Sequence, residues 1–313
     1  MQRFKRILYL QSTDDTRFEE QVLDKLISLA KANIAEVTVV NVFEDSFIEH
    51  VGRALYPHSN ELLGFIREKK QQRLDHAVSV LSDAGVQVRG ELFQGTMFVE
   101  VIREVLRNQQ QLVVKVRDPF DNHDAVAMHL FRKCPCPVWI INGEQFDGFR
   151  VCLGALDLGS TREETIDLNR KIVELTCSMA ERMKGNAYFV HAWELEHEVM
   201  LRGPRFNYGE DKLADMKKSL QKTLVKNFDA LTAGLEFHVP SERVHLVEGD
   251  VKPVVHHILQ QVGADLLIMG SVARTGLPGL LIGNSAETIL SEVRCSILAV
   301  KPDGFISPIS LTT

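Results

Sequence analysis

The chain has 313 residues, more than one hydrophobic core comfortably organises, so two domains are expected. An apolar fraction of 45% and a charged fraction of 25% exclude a disordered, collagen-like or purely coiled-coil chain, and a formal net charge of -6 without a Lys/Arg run opposes nucleic-acid binding. No apolar run approaches the roughly eighteen residues of a membrane span, the start at Met1 lacks a signal peptide's long apolar region, and five irregularly spaced cysteines suit free thiols, so a cytoplasmic location is expected.

In chain order, periodicity predicts a strand over 4–11, a helix over 17–32, a strand over 36–42, and a long charged helix over 60–84. A strand over 86–93, a helix over 97–109, the strand Leu112–Val116, a shorter helix and the strand Val138–Ile141 complete the set. Five strands alternating with helices predict a parallel, doubly wound α/β sheet. The turn formers of 142–148 place a boundary there, dividing the chain into domains 1–145 and 146–313. The order then begins again, with a strand over 151–157, a helix over 162–183 and a strand over 186–191.

The later strands fall at matching places. Leu246-Val247-Glu248-Gly249 lies 154 residues after Leu92-Phe93-Gln94-Gly95, as does Leu266-Leu267-Ile268 after Leu112-Val113-Val114. Cys295-Ser296-Ile297 lies 159 residues after Cys136-Pro137-Val138. A repeat of this length is a duplicated domain, not a solenoid. The second copy therefore carries five extra residues between its fourth strand and the helix after it.

That insertion carries chemistry. It runs through Gly270, Ala273, Arg274, Gly276, Gly279, Gly283, Asn284 and Ser285, whereas the corresponding 116–124 contains no glycine. Phosphate binding needs backbone N–H groups brought close to the ligand, which residues without a Cβ allow, and gains from a helix N-terminus. With the strand order 3-2-1-4-5, Asp157 and Gly270 end beside each other where the order reverses, the usual ligand position in such sheets. A carboxylate there can accept a hydrogen bond from an adenine amino group or a ribose hydroxyl. The plain alternatives stay open: Gly270 and Gly283 as turn formers, Asn284-x-x-Glu287 as a near capping box, Asp157 as a turn-starting residue, and Arg274 as a solvated loop cation.

These residues resemble the universal stress protein family, whose nucleotide-binding members carry Gly-x2-Gly-x9-Gly-Ser/Thr after the fourth strand and an Asp at the end of the first. The strings Leu130–Trp139, Gly283–Glu287, Arg294-Cys295 and Lys301–Asp303 look like its tandem E-type members. The resemblance implies two tandem five-stranded sheets of order 3-2-1-4-5, similar to adenine nucleotide alpha hydrolases. It also implies that the two last strands, near 138–141 and 296–300, pair across a two-fold axis as an internal pseudo-dimer; a further homodimer stays open. Position by position, Gly270 and Gly283 match the first and third glycines, Ala273 stands where the second belongs, and Asn284 stands for Ser/Thr. The implied ligand is ATP or another adenine nucleotide, with magnesium if a triphosphate binds. In the first copy Ser12 replaces the Asp and the loop is absent, so no ATP is expected there.

Other constellations nominate little. Lys115 interrupts an apolar strand, either to meet an anion or, more commonly, to snorkel along the surface. His191, His197, His245, His256 and His257 fit no standard zinc spacing, and Cys134-Pro135-Cys136 lacks a second cysteine pair. No nucleophile elbow, zinc-protease motif or Walker sequence occurs. The resemblance, with these absences, leads to the expectation of a non-catalytic stress-response protein with a nucleotide site in its second domain and an unidentified protein partner. Two other classes remain as alternatives, a slow ATPase or nucleotidyl transferase by fold analogy, and an interaction or lipid-ligand module that has lost nucleotide binding.

Overall fold

Apolar runs become strands and the amphipathic runs between them become helices over residues 4–12, 18–44, 59–117, 124–142, 149–271 and 284–311, which a computed structural model describes. In chain order these are β1 (Arg6–Gln11), α1 (Glu19–Asn33), β2 (Glu36–Phe43), α2 (Ser59–Asp83), β3 (Val88–Gln94), α3 (Met97–Asn108), β4 (Leu112–Val116), α4 (Ala125–Lys133) and β5 (Val138–Ile141). There follow β6 (Val151–Ala155), α5 (Glu163–Arg182), β7 (Asn186–Trp193), α6 (Glu198–Arg202), α7 (Glu210–Thr232), β8 (Val244–Glu248), α8 (Val251–Val262), β9 (Leu266–Gly270), α9 (Asn284–Glu292) and β10 (Ser296–Val300). They fall into two compact units: the described residues of Met1–Phe146, Ser271–Gly283 and Ser296–Thr313, and those of Asp147–Gly270 and Asn284–Cys295.

The first unit is built on the strand order β3-β2-β1-β4-β5-β10. Its first five strands are parallel, with Ile7 beside both Val37 and Leu112, and Val113 beside Val138. β10 runs antiparallel to β5, with Leu298 opposite Trp139. Every residue of β4 is buried, because helices cover both faces of a parallel sheet and the strand must be apolar throughout. The second unit has the order β8-β7-β6-β9, all parallel, with Leu153 between Tyr188 and Leu267. Both units thus follow the 3-2-1-4 arrangement, and the first adds its fifth strand in the expected place.

The duplication is visible in the element bounds. α8 and β9 lie 154 residues after α3 and β4, and α9 lies 159 residues after α4. Even the helix exits match, since Gln109 and Gly263 both close their helices with a left-handed residue, at φ 49° and 62°. From α3 to α4 the offset changes at the connection after β4, which has eight residues in the first copy and thirteen in the second.

Two elements carry no periodicity to betray them. α6 is a single five-residue turn carrying local charge pairs: Arg202 reaches Glu198 at 2.6 Å and also pairs with Glu210. A 3-10 turn at Ser241–Arg243 leads into β8. β6 also ends at Ala155, leaving Asp157 in the connection and not in the strand.

Candidate functional site

The second unit's switch point lies between β6 and β9. Ala155 stands beside Met269 in the parallel register, so Asp157 and Gly270, two and one residues further on, belong to adjacent strand ends. The backbone there is held by side chains from three elements, those of Asn169 and His191 being buried. Asn169 of α5 accepts from the Asp157 N–H at 3.0 Å and donates to the Asp157 carbonyl at 2.8 Å. Asn227 of α7 donates to the Leu158 carbonyl at 2.9 Å. His191 of β7 places Nδ1 3.0 Å from the Leu156 carbonyl and 3.3 Å from the Leu158 N–H, and the ring tautomer decides which it serves. Buried polar groups must find partners, and here those partners fix a three-residue backbone segment.

Gly159 leaves space between two side chains. A Cβ built on it would stand 4.0 Å from both Asp157 Oδ1 and His191 Nε2. Gly270 has a packing reason of its own, because a Cβ there would come within 2.8 Å of Leu168 Cδ2 on α5. A cavity of about 250 Å³ opens beside Asp157, between the β6–α5 connection and α7. Leu158, Ile166 and Leu231 give it apolar walls, and Thr161, Arg170 and Asn227 polar ones. Asp157 and Asn169 line it, and Gly270 does not.

Of the other expected site residues, Ala273, Arg274 and Gly283 lie outside the described residues. Asn284 and Ser285 open α9, and their side chains also lie outside that set. The structure therefore brings Asp157 and Gly270 together and adds Asn169, Asn227 and His191, which sequence reasoning missed. A signal existed for Asn169: it is a polar residue on the apolar face of α5, shared with Ile172, Val173 and Thr176. His191 reads from sequence as one scattered histidine among several, and only the fold reveals its backbone partners.

The same place in the first unit is filled by its own charges. Lys115, near the end of β4, is 1% exposed and donates to Asp124 Oδ2 at 2.7 Å and to the Val116 carbonyl at 2.9 Å. It does not snorkel, correcting the surface expectation. The strand is covered on both faces, so the ammonium is satisfied internally. Asp124 in turn caps α4, Oδ1 accepting from the Ala127 N–H at 3.0 Å. By the 154- and 159-residue offsets, Met269 and Gly283 stand where Lys115 and Asp124 do. At the end of β1, Gln11 donates to Glu19, which pairs with Arg73 at 3.3 Å, while Lys70 donates to Asn41 Oδ1 at 3.2 Å.

The remaining histidines have individual settings. His245 stacks on Tyr188 with ring centroids 6.1 Å apart, and burial lowers its pKa. His256 lies 3.4 Å from Glu292, which also receives Lys252 at 2.9 Å. His197 adopts φ 61° ahead of α6. Among the described residues, no group of three or more His, Cys, Asp or Glu side chains is arranged to hold a metal, and no helix is long and apolar enough to cross a membrane.

Comparison with known proteins identifies the relatives. The universal stress protein family matches residues 3–142 and again 165–301. Universal stress protein E of Escherichia coli K12 is 26% identical over 239 residues, covering 73% of each chain. The corresponding protein of Salmonella typhi has the same identity and coverage. Among solved structures, a functionally unknown protein from Pseudomonas aeruginosa PAO1 superposes with a TM-score of 0.69 at 20% identity, covering 97% of this chain and 95% of its own. A universal stress protein from Archaeoglobus fulgidus gives 0.60 at 15% identity, covering 94% and 96%. At these identities the structural likeness speaks to the fold.

Proposed function

The chain belongs to the universal stress protein family, and from that premise we propose that its second domain, 146–313, binds an adenine nucleotide, ATP in the first place, while its first domain, 1–145, does not. Asp157 would accept from the base or ribose. The backbone of Gly270, Ala273, Gly283, Asn284 and Ser285 would hold the phosphates, Arg274 would approach them from the loop, and magnesium would accompany a triphosphate. The protein would act in the cytoplasm as a stress-response binding protein, its nucleotide state altering its contact with a protein partner and not driving turnover.

The observation that carries this reading is the contrast between equivalent joints. In the first unit the carboxylate of Asp124 lies at the N-terminus of α4 and is neutralised by Lys115. A helix N-terminus favours one anion, and there the chain supplies it. The second copy has Met269 and Gly283 at those positions and a connection five residues longer. Asp157 also sits on a backbone held by Asn169, which suits a binding group that must not wander.

Thermal unfolding with and without millimolar ATP and magnesium tests the proposal. A ligand at a hundred times its dissociation constant adds about 2.7 kcal/mol, seen as a raised midpoint. Gly283→Val should abolish the rise and Asp157→Ala should reduce it. An unchanged midpoint for the well-folded wild type would overturn the reading.

A further inference from the structure

The first unit contains a pair of thiols that the nucleotide reading does not use. Cys134 ends α4, its N–H donating to the Leu130 carbonyl at 2.9 Å, and is fully buried. Cys136, two residues on, is 7% exposed, and the sulfurs lie 3.6 Å apart in an S–H···S contact. Cys134 and Cys136 each precede a proline, in Cys134-Pro135-Cys136-Pro137. Proline confines the residue before it to extended backbone and fixes its own φ, so the two sulfurs are held close at little entropic cost.

A cation completes the arrangement. Lys301 follows β10, which pairs with β5 through Ala299 opposite Val138. Its Nζ donates to the Phe131 carbonyl and to the Arg132 carbonyl at the end of α4, and lies 4.4 Å from the centre of the Phe305 ring. The carbonyl end of a helix repels a thiolate; the Lys301 ammonium offsets that repulsion at the residue that needs it. Burial pushes the Cys134 thiol up, but the hydrogen bonds from Cys136 and the charge of Lys301 together outweigh it and bring it below its ordinary value. Cys136 is pushed up by its bond to Cys134 and by burial, so the two thiols shift in opposite directions. Burial instead pushes Cys152 up to about 12 and Cys177 up to about 11.

We propose that Cys134 and Cys136 form a reversible redox dithiol in which Cys134 is the attacking thiolate, Cys136 the resolving thiol and Lys301 the positioning cation, with hydrogen peroxide as the oxidant. The Cys134 sulfur attacks one peroxide oxygen, the O–O bond breaks, and the departing hydroxide takes a proton to become water. The Cys136 sulfur then attacks the Cys134 sulfenic acid, the S–O bond breaks, and the departing hydroxide takes the Cys136 proton as a second water. Two electrons pass from the dithiol to peroxide, and an added thiol reductant reverses the change. Closure draws the sulfurs from 3.6 Å to about 2.05 Å, tightening the joint between α4 and β5 against the strand that carries Lys301.

The test treats the folded full-length chain with hydrogen peroxide, then blocks the remaining thiols during unfolding and maps all five cysteines by mass spectrometry. Oxidation of Met200, 51% exposed, reports that the oxidant was active. The expected result is a Cys134–Cys136 disulfide, lighter by two hydrogens and reversed by dithiothreitol, formed before Cys152, Cys177 or Cys295 changes. Cys136→Ser should leave a sulfenic acid at Cys134 that dimedone captures on unfolding, and Cys134→Ser should leave none. Lys301→Met should slow disulfide formation about tenfold, as loss of an electropositive neighbour predicts. The proposal is overturned if both thiols stay reduced while Met200 oxidises, if Cys134 passes to sulfinic acid without a disulfide, or if the first disulfide joins other cysteines. An unchanged rate in Lys301→Met would remove Lys301 from the assignment.

Discussion

The β4–α4 joint of the first unit and the β9–α9 joint of the second descend from one pattern and solve one electrostatic problem in opposite ways. In the first, a helix N-terminus comes to the end of β4 at the switch point of the parallel sheet, where an anion is stabilised; in the proposed nucleotide site α9 takes that place in the second. The first unit closes the joint in eight residues and supplies its own carboxylate, Asp124, with Lys115 buried against it. The second takes thirteen residues, has a methionine and a glycine in place of the ion pair, and fixes the backbone of Asp157 beside it. The carboxylate of the first unit thus stands as a substitute where the nucleotide proposed for the second would bring its own charge, at the cost of burying a charge pair.

Breaking that substitute should give the largest effect. Asp124→Ala leaves the buried Lys115 ammonium without its carboxylate and removes the α4 cap, and should destabilise the chain by about 3–5 kcal/mol in denaturant titration. The double change Lys115→Met with Asp124→Gly copies the second joint and should recover most of the loss, since apolar replacement of a buried pair is often neutral. A double variant as unstable as the single would show that the pair is not the cause.

The two first helices provide a second contrast. α1 and α5 both exit through a left-handed residue, Ile34 at φ 52° and Lys184 at φ 51°. After Ile34 the chain has Ala35, whereas after Lys184 it has Gly185, whose Cβ would stand 2.0 Å from the Arg150 carbonyl oxygen. Gly185→Ala should therefore cost about 1–3 kcal/mol by forcing the backbone apart. Ile34 is β-branched and 71% exposed, so Ile34→Gly should relieve left-handed strain and raise the midpoint by about 1 kcal/mol equivalent. An unchanged or lowered midpoint would place the strain elsewhere.

A further effect is one of pH. Burial lowers the Lys301 pKa to about 8, below the roughly 10.4 of an unfolded lysine. Between those values the unfolded chain binds more protons, so this group's contribution to stability rises with pH over that window. Lys301→Met should remove that rise, and parallel denaturant titrations from pH 7.5 to about 10.5 would detect it.

Most of the fold was legible because the signals were local and repeated. β4 and β5 have the predicted bounds, and the change of offset from 154 to 159 marks the joint where the two connections differ in length. What the sequence concealed depended on side-chain partners that no periodicity encodes. Lys115 reads as a surface lysine until Asp124 folds back to it, and α6 has too few residues for a period and owes its place to Arg202 between Glu198 and Glu210. The nearness of Asp157 and Gly270 followed from the expected strand order, which sets β6 beside β9. The clamp of Asn169, Asn227 and His191 comes from three elements far apart in the chain, and no short spacing encodes it.

The number of ATP molecules bound per chain at saturation tests the contrast most directly, measured by equilibrium titration of the wild type and of Gly283→Val in the presence of magnesium. The account predicts one nucleotide per wild-type chain and none in the variant. Two per chain, or one that survives Gly283→Val, would mean that the ion pair of the first unit does not close its site.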